Sequence, residues 1–271
     1  MKIPDKLYHY TSQKGLLGIL QSNKLWMTNI FHLNDSSEFS YTVNLVKTEL
    51  KKSRERLEKE GLLLPDKKNL YDKVQTVLGL FQSERVIGSY VFSLSTKRND
   101  LNQWRGYCPK EGGFSIEFDT KKLLSIIDNI DKSKKYDMKK CEYKNIKQEK
   151  LVKSLIDKID DDMKLFYTEL VYISSYIKHD SFMDEDEYRI ISHGIPHDIG
   201  HREIRHREGK SMIIPYVEFS PLDDKYRLPI SKIIVGPTPY MKLSLISVES
   251  LLKSKGYEIE VEPSNIPYRS W

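Results

Sequence analysis

The stretch FMDEDEYRII at residues 182–191 joins a cluster of acids to a predicted β-strand. Glu185 and Glu187 lie two residues apart, as do Glu187 and Arg189, and residues two apart on a strand share a face. Neighbouring carboxylates repel, so they persist mainly where a cation, a sugar hydroxyl or a shared proton stabilises them. The stretch therefore predicts a functional carboxylate pair. The alternatives are an acidic, solvated start of an edge strand and a structural ion pair with Arg189.

Composition is typical of a globular protein with a sizeable core. The chain has 271 residues, of which 39% are hydrophobic and 31% charged. The net charge of +5 is mild; it would favour an anionic small molecule or a nucleic acid without identifying either. Cys108 and Cys141 lack a CxxC spacing and are interpreted as free thiols in a reducing compartment.

The sequence shows neither a secretory signal nor a membrane span. Met1–Tyr10 has no apolar core of the kind that signal peptides carry, and no stretch approaches the ~18 apolar residues of a transmembrane helix. We therefore expect a cytoplasmic protein with no membrane partner. Nothing in the sequence indicates an oligomeric state.

Strand and helix patterns alternate without a regular βαβ rhythm. Strands are predicted near 7–10, 25–28, 86–95, 113–118, 188–192, 212–219, 232–235 and 257–261. Helices are predicted near 16–20, from about 38 to 60 and over 243–252, and a separate helix is predicted to follow Pro65 and end at about 82. The longest predicted helix runs from about 148 to 178. Residues 34–38 are predicted to form a turn and 194–210 a polar loop. We expect an α+β fold in a single domain over 1–271, with a helical insertion at about 35–83.

Two further groups of polar residues are candidates for chemistry. His9 lies on the first strand between Tyr8 and Tyr10, ahead of Thr11, and such a strand can present hydrogen-bonding groups at the floor of a cleft. Ordinary packing of His9 is the competing interpretation.

Ser93 and Ser95 alternate on a middle strand, so both hydroxyls share a face. Trp104 and Tyr107 follow on a helical turn, and aromatic faces beside hydroxyls suit a planar ring stacked in a cleft. The alternative is that the serine hydroxyls only make structural hydrogen bonds and that Trp104 belongs to the core.

A metal site and a phosphate loop are both disfavoured. His197 and His201 have the spacing that a helix would bring onto one face, but Pro196 and Gly200 argue against a helix there. No GxxxxGK[ST], GxGxxG or GxSxG motif is present, which disfavours ordinary P-loop, Rossmann and nucleophile-elbow enzymes. We therefore predict no metal ligands.

Short motifs are spread along most of the chain. They are Leu-Tyr-His-Tyr-Thr-Ser (7–12), Leu-Trp (25–26), Leu-Asn-Asp-x-x-Glu (33–38), Phe-Ser-Leu-Ser (92–95), Gln-Trp-x-x-Tyr (103–107), Gly-Phe-Ser-Ile-Glu-Phe (113–118), Lys178, Phe-x-x-Glu-x-Glu-Tyr-Arg (182–189) and Val-Gly-Pro (235–237). Their order and spacing resemble an uncharacterised bacterial family, domain of unknown function 2971. Membership of this family names no activity.

The order of histidine, Ser-x-Ser and Glu-x-Glu on successive strands also resembles the ADP-ribosyltransferase superfamily. This resemblance implies a split mixed sheet, NAD as substrate, His9 binding NAD and Glu187 promoting cleavage of the glycosidic bond. Glu185 would orient the acceptor. This chain combines features of two subclasses of the superfamily. Subclasses with Ser-x-Ser usually have arginine on the first strand, where this chain has His9. Subclasses with histidine on the first strand have a tyrosine on the middle strand, a place that Tyr90 or Tyr107 would take here.

The resemblance gives a full set of expected roles. The catalytic residues would be Glu187, Glu185 and His9, and the NAD-binding residues His9, Tyr10, Thr11, Ser93, Ser95, Trp104, Tyr107, Arg189 and Arg207. Arg105 is a further candidate for the pyrophosphate. The expected enzyme transfers ADP-ribose to a protein, a nucleic acid or water, as a toxin or phage-defence effector would.

Two other functions compete with this one. The chain could be a nucleotide-binding sensor without turnover, or a nuclease with Mg²⁺ held by Glu185, Glu187 and Asp35 or Glu38. The ADP-ribosyltransferase hypothesis requires His9, Ser93 and Glu187 to line one cleft, with His9 and Glu187 on the same side of the sheet.

Overall fold

Ten strands of the described residues form one mixed sheet. The computed structural model describes residues 3–33, 38–80, 87–110, 112–129, 136–159, 162–196, 204–209, 211–223 and 226–268. The strands are β1 (Lys6–Thr11), β2 (Leu25–Asn29), β3 (Ile87–Ser95), β4 (Phe114–Asp119), β5 (Tyr136–Lys140), β6 (Glu187–Pro196), β7 (Arg205–Glu208), β8 (Ile213–Phe219), β9 (Ile230–Val235) and β10 (Glu260–Pro263). Their order is β10-β9-β4-β1-β3-β2-β8-β7, and β6 pairs with both β3 and β5.

Helices cover this sheet, so the predicted α+β class is confirmed. They are α1 (Gln13–Ser22), α2 (Glu38–Lys59), α3 (Pro65–Leu80), α4 (Leu101–Tyr107), α5 (Thr120–Asn129), α6 (Asn145–Asp157), α7 (Met163–Ser174) and α8 (Met241–Ser254), with 3₁₀ helices at Ile30–His32 and Asp180–Glu185. The predicted apolar stripe of α2 is buried, since Phe39, Val43, Val46 and Leu50 all pack into the core.

The structure corrects the prediction of one long helix from about 148 to 178. That region contains two helices, α6 and α7, and the carboxylate of Asp162 accepts a hydrogen bond from the Leu165 amide to begin the second. A side-chain cap of this kind starts a new helix because it satisfies an amide that has no intrahelical partner.

Residues 194–210 are not simply a loop. β6 extends to Pro196 and β7 occupies Arg205–Glu208. The strands β5 and β7 and the helix α5 were not predicted at all. Of the turn predicted at 34–38, Glu38 begins α2, and residues 34–37 lie outside the described residues, as do His197 and His201.

The sheet splits along one edge of β3. β1 pairs with β3 only at Tyr8–Ser95, and it continues alongside β4 through Thr11. β2 joins the same edge of β3 farther along, at Val91 and Tyr90. Between these two pairings, residues 92–94 have no strand partner on that edge within the described part of the chain. A gap between β1 and β2 results.

Two apolar clusters pack on opposite faces of the sheet. The first includes Phe92 on β3 and Ile190 on β6, under α1, α5 and α8. The second includes Val91 and Ile191 from the same two strands, under α2, α3, α6 and α7. Alternation along a strand produces this division, because successive side chains point to opposite faces. None of the described helices is both long enough and apolar enough to cross a membrane.

Candidate functional site

A small pocket lies at the split of the sheet. It is bordered by residues of β1, β3, α4, the 3₁₀ helix Asp180–Glu185 and the start of β6, namely Tyr8, His9, Tyr10, Ser93, Leu94, Ser95, Gln103, Tyr107, Glu185 and Glu187. Seven of the residues predicted to form a site therefore surround one pocket: His9, Tyr10, Ser93, Ser95, Tyr107, Glu185 and Glu187. The other four predicted site residues do not border it: Thr11, Trp104, Arg189 and Arg207.

The imidazole of His9 fills part of the gap between β1 and β3. Its Nδ1 lies 2.9 Å from the carbonyl oxygen of Ser93, and its ring stacks on Phe92 with centroids 4.2 Å apart. A carbonyl can only accept, so Nδ1 carries the proton and Nε2 is left as an acceptor. Burial lowers the pKa of His9 to about 4, so the ring is neutral at pH 7.

The strand register places His9 and Glu187 on opposite faces, contrary to the expectation of a shared side. Tyr8 pairs with Ser95, and Ser95 pairs with Glu187, so these three side chains share a face. His9 follows Tyr8 and belongs to the other face, with Phe92. The two groups border the same pocket only because the sheet is open at this point.

Only the second of the two glutamates lies on the strand. Glu187 begins β6, whereas Glu185 ends a 3₁₀ helix. Asp186 between them has φ 43°, a left-handed conformation that breaks the extended backbone. The two carboxylates are nevertheless brought together, because the ammonium of Lys178 lies 2.5 Å from Glu185 and 2.9 Å from Glu187.

Arg189 is part of a buried charge network. Its guanidinium donates to Glu187 at 2.8 and 3.0 Å, to Glu38 at 2.8 and 2.9 Å and to the Ser175 carbonyl at 2.9 Å. These bonds use all five N–H donors of the side chain. The predicted phosphate-clamping role of Arg189 does not fit this arrangement; the ion pair with Glu187, which was the alternative interpretation, is present.

Glu187 is held as a fixed anion. Burial by itself raises the pKa of Glu187, but Arg189, Lys178 and the hydroxyl of Ser93 outweigh it and lower the pKa to about 2. The amide of Glu187 also donates to the Tyr143 hydroxyl at 3.0 Å. The carboxylate is therefore ionised at neutral pH and has little freedom to turn.

Glu185 lies nearer to solvent than the rest of the network. Its side chain is 21% exposed, whereas that of Glu187 is 5% exposed. The Tyr107 hydroxyl donates to Glu185 at 2.8 Å across the pocket. Ser95 donates to the Glu185 backbone carbonyl at 2.6 Å, which attaches this turn to β3.

Other predicted binding residues have structural roles. Trp104 is buried, meets Tyr10 edge to face at 4.7 Å and donates to Asn99 at 2.8 Å, so it belongs to the core. The Tyr10 hydroxyl donates to the Lys97 carbonyl at 2.7 Å. Thr11 is buried at the end of β1, and Arg105 stacks over Tyr268 at 4.9 Å.

Arg207 keeps donors available near His9. Its guanidinium donates to the Thr28 hydroxyl at 3.0 Å, while its buried Nε has no hydrogen-bond partner within the described part of the chain. It is also close enough to His9 to contribute to the lowered pKa of the imidazole. An unsatisfied buried donor is unfavourable unless a water, an ion or another acceptor satisfies it.

Two network residues were not among the predicted site residues of the leading hypothesis. Lys178 and Glu38 are each 4% exposed, and Glu38 had been considered only as a metal ligand. Both belong to motifs that the family resemblance had marked, Leu-Asn-Asp-x-x-Glu and the lysine ahead of the acidic stretch, and that was the one signal pointing to them.

Residues 103–190 match a family model described as a protein of unknown function, DUF2971. This segment belongs to the DUF2971 family. The matched segment includes Lys178, the Glu185–Arg189 stretch and residues 103–107 of α4, the helix that borders the pocket. The DUF2971 match therefore covers most of the charge network. No curated protein and no solved structure matches the chain.

Proposed function

We propose that the chain binds NAD at the split of the sheet and cleaves the bond between nicotinamide and ribose, as an ADP-ribosyltransferase does. One observation supports this proposal above the others. The adjacent strands β1, β3 and β6 carry His9, Ser93 with Ser95, and Glu187, and all four residues border one pocket. This is the residue order of the superfamily resemblance. The shared face of His9 and Glu187 that the hypothesis also requires is absent, so the proposal depends on both residues reaching one pocket through the open sheet.

The electrostatics of the network suit a positive charge that develops in the pocket. Glu38, Glu185 and Glu187 face two cations, Lys178 and Arg189, which leaves one negative charge in excess. Nicotinamide leaves NAD as a neutral base, and the positive charge passes to the ribose. A preorganised carboxylate in a poorly solvated site stabilises such a transition state more than it stabilises the substrate.

Groups on both faces would reach a ligand that lies across the split. The free Nε2 of His9 can accept a hydrogen bond from a ribose hydroxyl, and Arg207 can donate to a diphosphate. Glu187 would then act on the nicotinamide end, with Ser93 holding its carboxylate. The acceptor of ADP-ribose, a macromolecule or water, would approach on the side of Glu185.

A magnesium nuclease has less support. The Lys178 ammonium lies among the three carboxylates, at 2.5 Å from Glu185, 2.9 Å from Glu187 and 3.4 Å from Glu38, where a divalent cation would otherwise bind. Asp35 lies outside the described residues.

The proposal is tested by measuring NAD binding and nicotinamide release by the purified chain. We expect the wild-type chain to do both, and Glu187→Gln to lower nicotinamide release by about 100-fold or more while NAD still binds. Glu185→Gln is expected to impair transfer to an acceptor more than hydrolysis. Glu249→Gln, on the exposed side of α8, is the matched control and is expected to behave as wild type.

Thermal unfolding of each variant shows whether lower nicotinamide release comes from a chain that no longer folds or from the loss of a catalytic group. If Glu187→Gln does not fold, Ser93→Ala removes the neutral hydrogen bond to the carboxylate and is expected to lower release less severely. Binding of NAD by the wild-type chain without nicotinamide release would overturn catalysis in favour of the nucleotide-sensor alternative. A wild-type chain that neither binds nor consumes NAD would overturn the proposal altogether.

A further inference from the structure

Lys178 supplies the ammonium of the charge network, which consists of Glu38, Lys178, Glu185, Glu187 and Arg189. Its side chain is 4% exposed, and its Nζ lies 4.9 Å above the ring of Phe182. It is within hydrogen-bond distance of Glu185 and Glu187 and 3.4 Å from Glu38. Three carboxylates therefore surround one ammonium, which has three N–H donors to offer.

The backbone fixes Lys178 in this position from both sides. Its amide donates to the Glu142 carbonyl at 3.1 Å, and its carbonyl accepts from the Gln148 side chain at 2.8 Å. The chain then runs through a 3₁₀ helix and returns at Glu185, so two residues seven positions apart meet. The lysine is thus anchored before its side chain reaches the carboxylates.

A purely structural ion pair does not account for everything Lys178 contacts. Holding Glu187 in the core needs only Arg189, which already donates two hydrogen bonds to that carboxylate. Lys178 adds a link from Glu187 to Glu185, and Glu185 is the partly exposed group that borders the pocket. Without a cation between them, the two carboxylates would repel and separate.

We infer that Lys178 is a positioning residue that sets the distance between Glu185 and Glu187 at the pocket. The inference rests on the proposed function, because it concerns how the same two carboxylates are presented to a substrate. Lys178 itself makes no contact with the reacting atoms in this scheme. Its effect reaches the substrate through the two glutamates.

Several other titratable groups surround Glu187, and the Lys178 variants leave all of these residues unsubstituted. They come from α2, from the segment after β5, from β6 and, across the pocket, from α4: Glu38, Cys141, Tyr143, Arg189 and Tyr107. The Cys141 sulfur lies 3.6 Å from the Glu187 carboxylate, and burial raises the pKa of that thiol well above its ordinary value. The thiol therefore stays protonated and uncharged near neutral pH, so it does not change the charge of the network when the ammonium is removed.

The test replaces Lys178 with methionine, which keeps the length of the side chain and removes its charge. We expect kcat for nicotinamide release to fall about 100-fold, because a misplaced catalytic group costs about that much, while KM changes less than 3-fold. The acidic limb of the pH–rate profile is expected to move to higher pH. Lys178→Arg, which keeps the charge, is expected to recover most of the rate.

A second measurement makes the outcome independent of turnover. Carbon NMR of glutamate-labelled protein follows the Glu187 carboxyl, whose titration is expected to move up by at least one pH unit in Lys178→Met. If that variant does not fold, the double variant Lys178→Met with Glu185→Gln removes one charge of each sign. An unchanged titration together with an unchanged pH–rate profile overturns the positioning role. A wild-type chain without NAD turnover overturns the proposed function, and the NMR shift still decides whether Lys178 controls Glu187.

Discussion

His9 is a neutral imidazole held by one hydrogen bond to the Ser93 carbonyl and by the ring of Phe92. Its pKa is lowered from 6.5 to about 4, with burial as the main cause. At a pH between about 4 and 6.5, the His9 imidazole takes up a proton in the unfolded chain but not in the folded chain. The free energy of unfolding therefore falls as the pH falls from about 6.5 towards 4.

We expect His9→Asn to reduce this sensitivity to acid, because asparagine can donate to the same carbonyl and does not titrate. Urea unfolding at pH 7.5 and pH 5 measures the effect. The wild-type chain is expected to lose about 2 kcal/mol more than the variant between these two pH values. Equal losses in the two proteins would show that the imidazole is not buried in its neutral form.

Residue-level chemistry was predictable where it depended on alternation along one strand. Ser93 and Ser95 share a face, as their spacing indicates, and the strand register places Glu187 on that same face. The pairing of Glu185 with Glu187 through Lys178 was not predictable, because it depends on a 3₁₀ helix and on one left-handed residue, Asp186. Nor could the sequence indicate that His9 would lie on the opposite face.

At the scale of elements, strong strand patterns were easier to predict than short or interrupted ones. β3 and β9 are apolar runs, and both lie in the sheet close to where they were expected. β7 was missed because Arg205 to Glu208 are all polar or charged, and it forms by pairing with β8 at the sheet edge. The interruption between α6 and α7 was missed because apolar spacing continues across it.

The turn after β9 packs directly on α4, next to the pocket. A Cβ added to Gly236 would lie 2.7 and 2.8 Å from atoms of the Trp104 ring and 2.9 Å from the Gly113 carbonyl oxygen. Distances this short require the ring or the backbone to move. Gly236 thus permits the end of β9, the start of β4 and α4 to approach each other, which explains the Val-Gly-Pro motif in structural terms.

Gly236→Ala is expected to lower the free energy of unfolding by about 2 kcal/mol, because overpacking a close contact costs about that amount. Gly79→Ala in α3 is the matched control; a Cβ there meets no atom within 4 Å. The control is expected to be neutral or stabilising by up to about 1 kcal/mol, since alanine favours a helix. Chemical denaturation of the two variants compares them directly, and equal stabilities would contradict the packing argument.

At the scale of the whole molecule, the two apolar clusters share the strands β3 and β6. Val91 and Phe92 are neighbours on β3 but belong to different clusters, and Ile190 and Ile191 repeat this on β6. Loss of either cluster exposes one face of the same two strands. The clusters are therefore expected to unfold together, as the prediction of a single domain requires.

Phe118→Ala in the first cluster and Leu170→Ala in the second test this coupling. Both side chains are fully buried, so each truncation is expected to lower the free energy of unfolding by about 3 kcal/mol. Leu64→Ala, at a side chain that is 67% exposed, is the control and is expected to have little effect. Because both faces depend on the same strands, circular dichroism and tryptophan fluorescence should report one transition that moves to lower temperature in either core variant. Two separate transitions, with each core variant moving a different one, would mean that the faces fold independently and that the pocket at the split depends on only one of them.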